Sequence, residues 1–158
     1  MTLIAHFPVG AITDTERAAA VIAGLSQPGD VLALSGDLGA GKTTFARGFV
    51  RALTSADTEV PSPTFTLVQT YDTAKGDVWH CDLYRLAKPD DALELGIEDA
   101  FADAICLIEW PERLGRLLPA SRLAMSFTLK NGARTISLDG DEHWRARLQP
   151  VLSALGSV

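Results

Sequence analysis

An α/β fold is what this sequence predicts: a mixed, mostly parallel central sheet with antiparallel hairpins at its edges and helices flanking it. Three observations predict it. Two short apolar runs, "VLALSG" (31–36) and "AICLI" (104–108), have the length and composition of buried strands. Each leads into a helical signal, Phe45, Phe49 and Leu53 after the first and Pro111 after the second. Alternating segments elsewhere are joined by turn signals at Lys75-Gly76 and Asn131-Gly132. Strand–loop–helix units combined with hairpins imply a mixed sheet covered by helices. The 158 residues, 47% of them apolar, suffice for one domain over residues 1–158. A domain of this size buries roughly 70% of the surface of its unfolded chain. No internal repeat, low-complexity segment or long linker interrupts it.

Residues 2–7 suit a short edge strand. Thr13 and Glu16 have capping-box spacing, and Ala18, Val21, Ile22 and Leu25 then fall on one helical stripe. Gln27-Pro28-Gly29-Asp30 stops that helix. The run 31–36 feeds a glycine-rich loop, and Phe45, Phe49 and Leu53 form the buried face of the helix behind it. Residues 64–73 and 77–84 read as two strands joined at Lys75-Gly76. The acidic stretch 90–103 predicts one or two short helices with a solvated face. Residues 104–108 form a second buried strand. "LAMSFTL" (123–129) alternates, with Leu123, Met125, Phe127 and Leu129 on one face, before Asn131-Gly132 turns it into "RTISL". A last amphipathic helix starts near Asp141, and Pro150 kinks or divides it.

The chemistry begins at Gly36-Asp37-Leu38-Gly39-Ala40-Gly41-Lys42-Thr43, which fits the phosphate-loop pattern G-x-x-x-x-G-K-[ST]. Its glycines let successive backbone N–H groups turn inward as an anion nest at a helix N-terminus. This is the loop of the P-loop NTPase fold, in which Lys42 reaches the β- and γ-phosphates and the Thr43 hydroxyl holds Mg²⁺. The alternative is an accidental glycine-rich turn, against which the flanking strand and helix argue. GTPases carry an Asn-Lys-x-Asp segment that reads the base; its absence here favours ATP.

"AICLIEW" ends its strand in Glu109, where a carboxylate faces the cation directly or through water. Trp110 is read as a packing residue below the site rather than a base stacker. In "HCDLYRL" (80–86), alternation puts His80, Asp82 and Tyr84 on one face and Cys81 and Leu83 on the other. Asp82 then either orients the attacking water or holds Mg²⁺ through a water; an ordinary half-exposed strand is the plain alternative. In "PSPTFTL" (61–67), the hydroxyls of Ser62, Thr64 and Thr66 suit a γ-phosphate sensor, or equally a rigid turn. Thr15 and the hairpin Asn131–Arg134 are candidates for the adenine side, with core or surface roles as the alternative.

Charge narrows the partners. Acids outnumber bases 20 to 14, giving a net charge of −6 with no basic cluster, which disfavours unaided binding to nucleic acid. No run of eighteen apolar residues suggests a membrane span, and the first ten residues lack the basic-then-apolar pattern of an export leader. Cys81 and Cys106 lie in apolar stretches without metal-ligand spacing, so buried reduced thiols are expected.

In their order and spacing, "GDLGAGKTTF", "SPTFTLV", "HCDLYRL", "LGIEDAF" and "ICLIEWPE" resemble the TsaE family, formerly YjeE. These are bacterial ATPases needed to make N6-threonylcarbamoyladenosine at position 37 of tRNA. The likeness is close over about residues 12–113, and no family motif follows Pro119. Cys81 stands where family members more often carry a bulkier apolar residue. The resemblance implies that Asp37, Leu38, Gly39, Ala40, Gly41, Lys42, Thr43 and Thr44 bind ATP. It implies that Thr43 and Glu109 hold Mg²⁺, that Lys42, Asp82 and Glu109 are the catalytic groups, and that Ser62-Pro63-Thr64 is a switch-like segment. It further implies a cytoplasmic protein that joins TsaD and TsaB, meets tRNA only through that complex, and engages neither DNA nor membrane. With no strong base in the motifs, the isolated chain is expected to hydrolyse ATP slowly. A small-molecule kinase is the alternative, although Arg85, Arg113 and Arg116 form no obvious lid. A nucleotide-dependent binding module without hydrolysis is the third reading.

Overall fold

In chain order the strands are Thr2–Pro8 (β1), Val31–Ser35 (β2), Val68–Thr73 (β3), Gly76–Asp82 (β4), Ile105–Glu109 (β5), Leu123–Lys130 (β6) and Ala133–Gly140 (β7). The helices are Ile12–Leu25 (α1), Lys42–Leu53 (α2), Ile97–Asp103 (α3) and Glu142–Leu148 (α4). This computed structural model describes residues 1–156; the last two residues of the span expected as one domain lie outside it. The strands form one sheet in the order β1-β7-β6-β2-β5-β4-β3. Its centre, β6-β2-β5-β4, is parallel, and antiparallel pairs close both edges, β3 on β4 at one side and β7 and β1 beyond β6 at the other. The parallel centre and hairpin edges are those the sequence predicts.

The central strands are apolar throughout because both of their faces are covered. Leu32, Leu34, Ile105 and Leu107 pack against α1 and α2 through Ile22, Phe45 and Phe49. On the opposite face Val31, Cys81, Cys106 and Ile108 pack with Leu83, Ile97 and Leu114. Both cysteines are free and buried, and burial pushes the Cys106 thiol up to about 12. The acidic stretch folds as a 3₁₀ segment, Pro89–Leu95, followed by α3. Pro111 opens a 3₁₀ segment that runs to Leu117. Among the described residues no helix is long and apolar enough to cross a membrane.

Several local expectations shift. Helix α1 starts before Thr13: the Asp14 carboxylate accepts the Ala11 N–H at 3.0 Å, so Asp14 and not Glu16 closes the cap. Its buried face is Thr15, Ala18, Ala19, Ile22 and Ala23, with Val21 and Leu25 only partly covered. The cause is close packing on α2, where a Cβ at Gly48 would lie 3.2 Å from the Ala19 Cβ. Strand β3 begins at Val68, not residue 64, because the Leu67 N–H turns back to the Pro63 carbonyl (2.7 Å) and Leu67 takes φ +67°. Tyr84 lies beyond the end of β4. On β6, Leu123, Met125 and Phe127 are buried, but Leu129 is 47% exposed where the hairpin tip outruns the covering helices. Asn131 (φ +53°) and Gly132 (φ +78°) supply the two left-handed residues of a tight hairpin turn.

The C-terminal elements are tied to the start of β2. Asp141 caps α4 by accepting the Trp144 N–H at 3.0 Å, and that bond holds its carboxyl below the usual range. Arg147 then donates to both carboxylate oxygens of Asp30 (2.9 and 2.7 Å) and to the Leu25 carbonyl (2.6 Å). The Asp30 carbonyl in turn accepts the Cys106 N–H of β5 at 2.9 Å. Helix α4 ends at Leu148, and Pro150 sits in the short 3₁₀ turn that follows it, Gln149–Val151.

Candidate functional site

Parallel alignment brings the C-terminal ends of β2, β5 and β4 to one edge of the sheet, where ligands of open α/β folds bind. In register, Leu34 faces Glu109, and Glu109 faces Asp82. Beyond Ser35 the chain enters the glycine loop. A Cβ on Gly36 would fall 2.3 Å from the Phe127 carbonyl oxygen, so only hydrogen fits there. Gly41 takes φ +115°, a left-handed turn that starts α2 at Lys42. The first N–H groups of a helix have no partner within it, so Lys42, Thr43 and Thr44 present theirs at the loop.

Lys42 is only 4% exposed. Its ammonium donates to the Gly36 carbonyl and sits 3.6 Å from the centroid of the Trp110 ring. Burial lowers its pKa, and the carboxylates of Glu109, Glu112, Asp82 and Asp37 oppose that shift. Trp110 adopts φ +59° directly after Glu109 and packs on Tyr84 with ring centroids 5.0 Å apart. It forms the floor of the site, as the sequence suggests.

Glu109 and Asp82 are both buried. The Thr43 hydroxyl donates to Glu109 Oε1 at 2.9 Å, and His80 Nε2 lies 2.6 Å from Glu109 Oε2. Asp82 accepts the Thr64 hydroxyl at 3.2 Å and the Tyr84 N–H at 3.1 Å. Ser62 and Thr64 hydroxyls are 2.8 Å apart, which links the "SPT" segment to Asp82. Thr66 bonds the Gln69 amide instead and stays outside this group.

These residues line a cavity of about 320 Å³, within the range of small-ligand sites. Its lining includes Leu38, Gly39, Gly41, Lys42, Thr43 and Thr44 of the loop and helix start, together with Ser62, Thr64, Asp82, Glu109 and Trp110. Of the remaining loop residues, Asp37 is exposed and Ala40 turns into the core, joined by the Ala40 N–H to the Asp37 carbonyl at 3.1 Å. Val9–Ile12, Thr15 and Arg134 complete the lining. Thr15 is 4% exposed, and Arg134 donates to the Gly39 carbonyl at 3.4 Å. Thr15 and Arg134, two of the candidates for the adenine side, both line the cavity.

Thr43 and Glu109 offer oxygen donors only, an incomplete shell of the kind Mg²⁺ accepts when phosphates and water complete it. The fit to that cation is good. Two features escape sequence reading. The His80–Glu109 contact depends on the pairing of β4 with β5, and the placement of Val9–Ile12 depends on β1 joining the far edge of the sheet. The alternation of His80 with Asp82 is the one signal that could have found the first.

Comparison with known proteins bears on this geometry. A family model described as threonylcarbamoyl adenosine biosynthesis protein TsaE matches residues 10–136. A TsaE protein of Rickettsia bellii is 40% identical over 116 residues, covering 73% of this chain and 81% of its own. One from Bacillus subtilis is 40% identical over 111 residues, 70% of this chain and 68% of its own. The crystal structure of Bacillus subtilis YdiB superposes with a TM-score of 0.75 at 31% identity, across 94% of this chain and 93% of that one. The fold is that of the P-loop NTPases.

Proposed function

The chain belongs to the TsaE family, which acts in the biosynthesis of threonylcarbamoyladenosine in tRNA, and from that membership we propose that it binds and hydrolyses ATP in this cavity. It does so as a cytoplasmic subunit that joins TsaD and TsaB, and its turnover supports repeated transfer at position 37 of tRNA. The observation that carries this reading is the meeting of the Thr43 hydroxyl and the Glu109 carboxylate, 2.9 Å apart, at the head of the phosphate-loop helix.

In this reading the amides of Gly39 to Thr44 hold the phosphates, and Lys42 exchanges the Gly36 carbonyl for the β- and γ-phosphate oxygens. Thr43 and Glu109 would hold Mg²⁺, which would supply positive charge to offset the negative charge building up on the phosphates. Asp82, positioned by Thr64 and the Tyr84 amide, orients the attacking water, and Ser62-Pro63-Thr64 senses the γ-phosphate. Leu38, Thr15 and Arg134 enclose the adenine side. Catalysis is positioning and charge stabilisation without a strong base, so the isolated chain turns over slowly.

Phosphate release with and without TsaD and TsaB tests this. Slow release alone, stimulation by both partners and abolition by EDTA are expected. Fast release from the isolated chain would count against the subunit role. Label passing from ATP to a metabolite rather than water would favour a small-molecule kinase. A chain carrying Asp82→Ala should bind ATP yet fail to support the complex; full support would remove hydrolysis from the reading.

A further inference from the structure

We propose that His80 is the positioning residue of Glu109: as a neutral imidazole protonated on Nε2, it holds one carboxylate oxygen and leaves the other turned to Thr43 and a divalent cation. This rests on the ATP and Mg²⁺ reading above and gives a role to a residue that reading leaves idle.

Packing does not explain His80. Strand alternation sends Val78, His80 and Asp82 to the α2 side of the sheet, and both Val78 and His80 are wholly buried. An apolar side chain would fill the second position as Val78 fills the first, without giving up the hydration of an imidazole. Among the described residues the one side-chain hydrogen bond of His80 runs to Glu109 on the neighbouring strand, 2.6 Å from Nε2 to Oε2. Its other nitrogen, Nδ1, is buried with no partner among the described residues.

That asymmetry selects the tautomer. A proton on Nδ1 would strand a buried N–H donor and set the bare Nε2 lone pair against the carboxylate. A proton on Nε2 satisfies the carboxylate and leaves only an unfilled acceptor, which costs less. Glu109 is then held at both oxygens: the Thr43 hydroxyl lies nearer Oε1 (2.9 Å) than Oε2 (3.2 Å), and His80 holds Oε2. Without His80, the Thr43 hydroxyl alone restrains the carboxylate about its last torsion, which is intrinsically soft.

The test uses the full chain with Mn²⁺ in place of Mg²⁺ and a non-hydrolysable ATP analogue, bound Mn²⁺ being read by electron paramagnetic resonance. His80→Gln keeps an N–H near the Nε2 position, whereas His80→Asn puts its amide near Nδ1, out of reach of Glu109. We expect H80Q to bind Mn²⁺ within about threefold of the wild type and H80N roughly 10- to 100-fold more weakly. Analogue binding in EDTA should be the same for all three chains, which separates metal positioning from loop damage. A long-range ¹H–¹⁵N spectrum of the wild type should show the His80 ring protonated on Nε2 alone. Equal loss in both variants, no loss in H80N, or a proton on Nδ1 would overturn the proposal. Wild-type chain that takes up no Mn²⁺ with the analogue would overturn the nucleotide reading itself. If H80N does not fold, H80Q and the wild-type spectrum still decide.

Discussion

Strands β2, β4 and β5 share a sheet with β1, β6 and β7, yet the two sets end differently. The first three run parallel, so their last residues, Ser35, Asp82 and Glu109, reach the same edge together. The β6-β7-β1 flank turns back on itself, so its ends alternate between edges. Its gifts to the cavity are walls, Val9 after β1 and Arg134 early in β7, and a backing, Phe127 behind Gly36. Aligned strands concentrate reactive side chains, while the hairpin flank supplies the surface against which they are held.

Four perturbations break or sharpen that division. Phe127→Ala should act almost wholly on stability. Phe127 is buried and meets Phe45 of α2 edge-on at 5.7 Å. Its loss should cost about 3–5 kcal/mol, with a melting temperature lower by about 10 °C and ATP turnover per folded molecule within tenfold of wild type. Lys42→Ala should do the reverse, lowering ATP hydrolysis by about 10²- to 10³-fold in a phosphate-release assay while the melting temperature barely moves. Gly36→Ala should erase the division, because its Cβ meets the Phe127 carbonyl across the boundary. About 1–3 kcal/mol of stability should go together with ATP binding, measured by thermal melts and by calorimetric titration.

The smallest effect is on the flank and depends on pH. The Trp144 N–H, first among its causes, holds the Asp141 carboxyl below its ordinary 3.8. A depressed carboxyl stabilises the fold above its unfolded-state pKa, and that contribution is lost as the pH falls through the folded value. Asp141→Asn keeps a cap acceptor but removes the titration. Its melting temperature should therefore fall less steeply than the wild type's as the pH drops below 3.8.

The parallel set was also the more legible in sequence. The loop at Gly36–Thr43 and the acid at the end of "CLIE" announce themselves because their chemistry is local: glycines for the turn, apolar residues for a strand covered on both sides. What escaped depends on distant partners. Alanines outrank Val21 on α1 because Gly48 of another helix presses against them. Leu129 obeys the alternation of its strand, yet nothing in that alternation tells where the covering helices stop. Pro61 and Pro63 flag an irregular segment but not the left-handed Leu67 that delays β3 by four residues. His80 was legible as a neighbour of Asp82 on one face, but its grip on Glu109 required knowing that β4 and β5 lie side by side.

Arg147 lies far from the cavity, in a stretch with no motif at all, yet its guanidinium clasps Asp30 just where β2 sets out towards the phosphate loop. The C-terminal helix is thereby tied to the base of the strand that leads into the phosphate loop. Trimming the molecule at Lys130, which would keep most of the recognisable motifs, would unfasten the base of the strand that carries the loop. The residues after Lys130 thus act on the candidate site as a hinge pin acts on a door, through what they keep aligned.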